Sequence, residues 1–223
     1  MQLTPDMGVL AYLSTAVLSV VLSVFLLVLW ARQKNHLYTD LPLLFGVMFV
    51  AQAFNSVIRT LPTLGVLEAS LDIFRFRTLV MLGSVLPLTV IVLFIWLPRM
   101  RAKYTRILGA LTLYWAAVTL LAPSEALIMI LCIPIILVLT VAMVVTFSIT
   151  WKTGRLREVR SDLMVLCFVL GIMSQLTASM VLVNNALWAL GTVAATLALT
   201  NPWYRRKQSA LTKQNEVYSS LDT

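Results

Sequence analysis

The sequence predicts an all-α fold: a polytopic membrane helical bundle of seven transmembrane helices, with its N-terminus outside and its C-terminus cytoplasmic. Three observations predict it. Apolar residues gather in runs near the length of about 20 that a helix needs to cross some 30 Å of hydrocarbon. Basic residues cluster in every second connection between those runs, and cytoplasmic loops are the ones that carry excess Lys and Arg. Trp30, Trp96, Trp151 and Trp203 fall at the ends beside the basic clusters, where interfacial anchors belong.

Composition agrees. Of 223 residues, 60% are hydrophobic and 12% charged, against roughly 25% charged in a soluble domain. Mean hydropathy is +0.93. A spanning helix satisfies its own backbone N–H and C=O groups, which irregular chain in lipid cannot do. A β-barrel needs shorter segments that alternate apolar and polar, and these runs do not alternate. The formal charge of +8 does not predict a nucleic-acid partner. The basic residues sit in short clusters, with no soluble face to track phosphates. The predicted setting is a lipid bilayer, that of the plasma (cytoplasmic) membrane. The start, MQLTPD, lacks basic residues and the apolar stretch behind it is long for a signal peptide, so the first helix reads as a true span.

The first helix is expected from about Met7 to Trp30, ending at Arg32, Lys34 and His36. The second runs from Leu41 to Leu61, broken by Pro62 and Gly65. The third runs from Ile73 to Leu97, before Pro98 and the cluster Arg99, Arg101, Lys103 and Arg106. The fourth is short, Ile107 to Leu121. Ala122-Pro123-Ser124 then makes a turn, with Ser124 placed to cap the next helix and Glu125 in its first turn. The fifth runs from Glu125 to Trp151, the sixth from Asp162 to Leu182, and the seventh from Asn185 to Thr200, stopped by Asn201-Pro202. Residues 1–206 form the transmembrane domain, and 207–223 a short polar cytoplasmic tail suited to acidic lipid headgroups. Fourteen of the 17 basic residues lie on the side of segments 31–40, 98–106, 152–162 and 203–213. No internal repeat of the kind that builds many transporters is visible.

The residue inventory argues against an enzyme. The single histidine, His36, sits in a loop, which leaves no histidine metal site, haem pair or nucleophile–histidine triad. Cys132 and Cys167 lie in apolar runs and read as small buried hydrophobes. The acids, Asp6, Asp40, Glu68, Asp72, Glu125, Glu158, Asp162, Glu216 and Asp222, all fall at helix ends or in loops, whereas proton- or sodium-coupled transporters usually carry one inside the membrane. No phosphate-binding glycine loop occurs. No metal and no cofactor is expected.

Three polar features remain. Gln52, Asn55, Ser56 and Arg59, spaced i, i+3, i+4, i+7, share one face of the second helix. They read either as hydrogen-bonding glue between helices, worth roughly 0.6 kcal/mol per contact, or as one wall of a polar cavity open to the outside. Arg59 lies within a turn of the outer end and can snorkel. Arg75 and Arg77 follow Glu68 and Asp72 at the start of the third helix. They read either as local ion pairs or, with Arg59, as a cationic cup for an anionic ligand or a partner's carboxylate. These three arginines are the exceptions to the positive-inside trend. Third, Gln175, Thr177 and Ser179 precede Asn184 and Asn185, and Thr192, Thr196 and Thr200 follow at i+4 along one face, where small hydroxyl residues permit close helix packing.

The seven-run pattern, the short loops, the polar segment Glu68-Ala-Ser-Leu-Asp-Ile-Phe-Arg-Phe-Arg, Pro87 inside the third helix and the stop Asn201-Pro-Trp-Tyr-Arg-Arg together resemble the seven-helix N-terminal membrane sensor region of prokaryotic histidine kinases, over about residues 7–206. That resemblance implies an input module that signals through a separate partner, since the chain carries no kinase output domain. The leading expectation is therefore a non-enzymatic, receptor-like or sensor-like membrane protein. Its outer mouth would meet a small ligand or partner through Gln52, Asn55, Arg59, Arg75 and Arg77, and its basic inner loops would meet a protein partner. The alternatives are a structural or accessory subunit of a membrane complex, and a small transporter or channel.

Overall fold

The computed structural model describes residues 5–33, 37–154, 159–177 and 179–201. Lys34, His36, Arg155, Arg157, Trp203 and the tail expected at 207–223 lie outside them. Seven α-helices follow in order: α1 (Pro5–Ala31), α2 (Leu41–Thr63), α3 (Leu71–Trp96), α4 (Tyr104–Leu121), α5 (Glu125–Thr153), α6 (Ser161–Leu176) and α7 (Val181–Thr200), with a 3₁₀ segment, Pro98–Lys103, between α3 and α4. No strand occurs among the described residues.

Local chemistry sets most of the ends. The hydroxyls of Ser70 and Ser124 accept from the N–H groups of Ile73 and Leu127, both at 3.4 Å, while Asp72 and Glu125 occupy the first turns of α3 and α5. Gly154 closes α5 at φ 60° and Asn201 closes α7 at φ 35°, left-handed positions that Gly and Asn tolerate best. Pro62 does not end α2 as expected but lies within its last turn, and the helix runs on to Thr63. The larger correction is α6, expected to reach Leu182. It stops at Leu176, where the Thr177 hydroxyl donates to the carbonyls of Met173 and Ser174 and the Asn184 amide donates to Ser174 O at 3.0 Å.

Among the described residues six segments are long and apolar enough to cross a membrane: Met7–Ala31, Leu41–Thr63, Leu71–Trp96, Pro98–Leu121, Glu125–Thr153 and Val181–Thr200. The 16-residue α6 is apolar but shorter, rising about 24 Å at 1.5 Å per residue. Large apolar side chains cover the outside, among them Leu113, Leu121, Val138 and Leu10. This is the surface of a helical bundle that meets lipid rather than water.

The helices pack in a ring, α1–α2–α3–α5–α6–α7 and back to α1, with α4 outside against α3 and α5. Four phenylalanine rings meet in the interior. Phe45 lies 6.2 Å from both Phe49 and Phe168, and Phe168 stacks on Phe147 at 6.1 Å, linking α2, α6 and α5. Leu26, Met143 and Met164 fill in around them, fully buried. Glycines allow the closest approaches: a Cβ on Gly46 would fall 2.8 Å from Leu27, and one on Gly83 would fall 2.9 Å from the Cβ of Ala51. Polar anchors fix the rest. Ser23 donates to Gly46 O at 2.8 Å, Trp115 to Thr78 O at 2.8 Å, and Trp96 to the Thr146 hydroxyl at 2.8 Å.

Candidate functional site

At the end of the bundle where α2 finishes and α1, α3 and α5 begin, the ring opens into a cleft of about 380 Å³. Tyr12 of α1, Arg59 of α2, Ser70 and Arg77 at the start of α3, and Glu125 of α5 supply its polar lining, and Pro62, Ile73 and Phe74 part of its apolar wall. Helices from facing sides of the ring contribute, so the cleft is the ring's mouth.

Helical periodicity explains how the arginines arrive. Arg59 belongs to the α2 stripe, in which Asn55 and Ser56 are buried and Gln52 is half-buried. Its guanidinium sits 5.9 Å from the centre of the Tyr12 ring, and its Nε is buried without a hydrogen-bond partner among the described residues. Arg77 reaches the same cleft from α3. Its Nε donates to Asn55 Oδ1 at 3.3 Å, and its guanidinium lies 5.7 Å from the Phe74 ring centre. The two arginines repel each other, and Glu125 attracts Arg77. Among the described residues no carboxylate lies within ion-pair distance of either one.

Arg75 goes elsewhere. Two positions from Arg77, it points roughly 200° away around the helix. It pairs with Asp72 at 3.1 Å and donates to Ala122 O at 3.0 Å. The structure therefore brings together Asn55, Arg59 and Arg77, leaves Gln52 two turns along the same stripe, and ties Arg75 to the turn before α5. Glu68 is exposed on the connector.

Tyr12 and Glu125 complete the cleft and were not singled out as site residues from sequence. A signal for α1 existed: Gly8, Tyr12, Thr15, Ser19 and Ser23 repeat at three to four residues in an otherwise apolar run. The stripe faces inward. Thr15, Ser19 and Ser23 are buried, and Thr15 donates to Asn185 Oδ1 of α7 at 3.1 Å. In the third polar feature, Gln175 and Ser179 are exposed, while the hydroxyls of Thr192, Thr196 and Thr200 donate to carbonyls of their own helix, as close packing requires.

No cluster of three or more His, Cys, Asp or Glu that could hold a metal ion occurs among the described residues. Architecture and surface together define the class: an integral membrane protein built as a helical bundle. Comparison with protein families, with characterised proteins and with solved structures gives no match.

Proposed function

We propose that this protein is a non-enzymatic receptor or sensor, which crosses the membrane seven times and binds an anionic ligand at an outward-facing mouth. The observation that carries the reading is the pair Arg59 and Arg77, held in one cleft with no carboxylate within ion-pair distance among the described residues. Two half-buried cations side by side are costly unless something compensates them, and guanidinium forks suit carboxylate and phosphate oxygens. The aromatic layer of Phe45, Phe49, Phe147 and Phe168 supports a closed site rather than a pore. Seven spans fit the antiparallel helix order, with α6 the short one. Basic side chains at the opposite end, Arg32, Arg99, Arg101, Lys103, Arg106 and Lys152, support a cytoplasmic placement there. They would contact a separate cytoplasmic partner, as the resemblance to kinase sensor regions implies.

Two measurements test this. An impermeant maleimide on intact cells should label Leu67→Cys, and should label Tyr38→Cys only after permeabilisation; the reverse pattern would invert the orientation. In detergent, a panel of small carboxylates and inorganic phosphate should include an anion that raises the melting temperature of the parent protein but not of Arg59→Gln or Arg77→Gln. If no anion does so, the ligand reading fails. A fixed co-purifying membrane partner would then make the chain an accessory subunit.

A further inference from the structure

The cleft is not uniformly cationic. Glu125 is the first residue of α5, whereas Arg59 lies four residues inside the end of α2 and Arg77 six residues beyond the start of α3. At 1.5 Å per residue that sets the arginine backbones about 6 and 9 Å inside the ends of their own helices. Among the described residues that line the cleft, two are arginines set back from their helix ends and one, on the first residue of its helix, is a carboxylate.

An acid in the first turn of a helix has an ordinary explanation, since it complements the positive end of the helix dipole. Asp72 shows what that role looks like by itself. It sits near the start of α3, its side chain is 86% exposed, and it is paired with Arg75 away from the cleft. Glu125, likewise exposed, is the first residue of α5 but lines the cleft, and it has no ion-pair partner among the described residues. Glu125 partly offsets the charge of Arg77, but a carboxylate beside a site for simple anions also repels them. A ligand with an ammonium group as well turns that repulsion into attraction.

We propose that the occupant is a small amino carboxylate. Its carboxylate is gripped by Arg59 and Arg77, its ammonium is held by Glu125, and it enters from water through the ring's mouth. This rests on the reading of the cleft as a ligand site and adds the class of ligand. Tyr12 and Phe74 provide walls for a short carbon chain, and Glu125 discriminates against simple and multiply charged anions.

The test uses four probes on one carbon skeleton: butyrate, 2-aminobutyrate, 4-aminobutyrate and butylamine. Each is titrated calorimetrically into the full-length protein in detergent. One of the amino acids should bind at least about tenfold tighter than butyrate, a difference of roughly 1.4 kcal/mol, and butylamine should not bind. Glu125→Gln should bring the amino acid and butyrate to within about twofold of each other, because a neutral amide cannot pair with the ammonium. A structural role at the helix start would not produce that change. Arg59→Gln and Arg77→Gln should abolish binding of both, with size-exclusion profile and circular dichroism unchanged to show that they fold. If butyrate binds the parent protein as tightly as either amino acid, or the preference survives Glu125→Gln, the amino-carboxylate inference is overturned and the anion site stands. If none of the three carboxylates binds, this inference fails, and the anion reading then depends on the wider panel.

Discussion

Gly83→Ala is the sharpest test of how the ring is held together. A methyl group at position 83 would sit 2.9 Å from the Cβ of Ala51. Carbon atoms rest at about 3.5–4.0 Å, so α2 and α3 must part locally by about 0.6–1.1 Å from that 2.9 Å contact. Ala51 is buried and has no side-chain torsion to turn, so the backbones must move. Two hydrogen bonds join the same helices: Ser84 to Met48 O at 3.4 Å, and Arg77 to Asn55 at 3.3 Å. Both are already long and would be lost. Overpacking of this kind costs about 1–3 kcal/mol, and Ala regains about 0.5–1 kcal/mol over Gly within a helix. The net expectation is a destabilisation of about 1 kcal/mol, the difference of the midpoints of those two terms. Ala51→Gly alone should also destabilise, by about 1–2 kcal/mol from lost helix preference and one lost methyl. The double variant moves the methyl from one helix to the other and should recover to within about 1 kcal/mol of the parent, the coupling expected of residues in contact. The assay is equilibrium unfolding in mixed micelles of mild detergent and SDS, followed by circular dichroism. A Gly83→Ala protein as stable as its parent, or a double variant equal to the sum of the singles, would refute the close approach.

Three further changes probe other joints of the bundle. Phe168→Ala removes the ring that bridges Phe45 and Phe147 and should cost about 3–5 kcal/mol in the same unfolding assay; a loss below 1 kcal/mol would mean that the aromatic layer is not packed. Trp115→Phe removes the donor to Thr78 O from a fully buried residue. It should cost about 1 kcal/mol, and the average tryptophan emission should shift red as a fully buried indole is lost. Thr15→Val keeps the shape but breaks the α1–α7 hydrogen bond to Asn185, so a loss of about 0.6 kcal/mol, and no more than about 1.7, is expected.

Helix positions were legible in the sequence because hydrocarbon imposes its own ruler. An apolar run of crossing length has few ways to exist except as a helix, and Ser124 and Asn201 announced their caps. The end of α6 was not legible. From Leu176 to Leu182 the chain carries no Pro or Gly, and nothing local says stop. The break instead comes with a buried amide from the next helix, Asn184, reaching back to Ser174 O. For the cleft, periodicity identified the α2 stripe. Applied to α3, the same rule separates Arg75 from Arg77, yet proximity in sequence grouped them. Tyr12 and Glu125 lie 47 and 66 residues from Arg59 along the chain. No short-range pattern could join them, because ring closure brings them together.

Stability does not explain why the mouth is polar, and one comparison can make that visible. Arg59 Nε is buried without a hydrogen-bond partner among the described residues, so removing the guanidinium forfeits no hydrogen bond seen at that atom. It forfeits the contact with Tyr12, worth about 0.5–2 kcal/mol. Against this it relieves an unmet buried donor, a cost of about 1–3 kcal/mol, and the repulsion between Arg59 and Arg77. Arg59→Met, which keeps the apolar stem, should therefore leave stability unchanged or raise it. Arg77→Met is different, because it orphans the buried carbonyl oxygen of Asn55. It should cost about 1–3 kcal/mol, and Asn55→Leu/Arg77→Met should recover most of that loss. A selected core that only held helices together would have traded Arg59 for an apolar residue, as buried charges usually can be without loss. If Arg59→Met instead destabilises by more than about 2 kcal/mol, the arginine is a structural strut, and the case for a ligand in the cleft loses its main physical support.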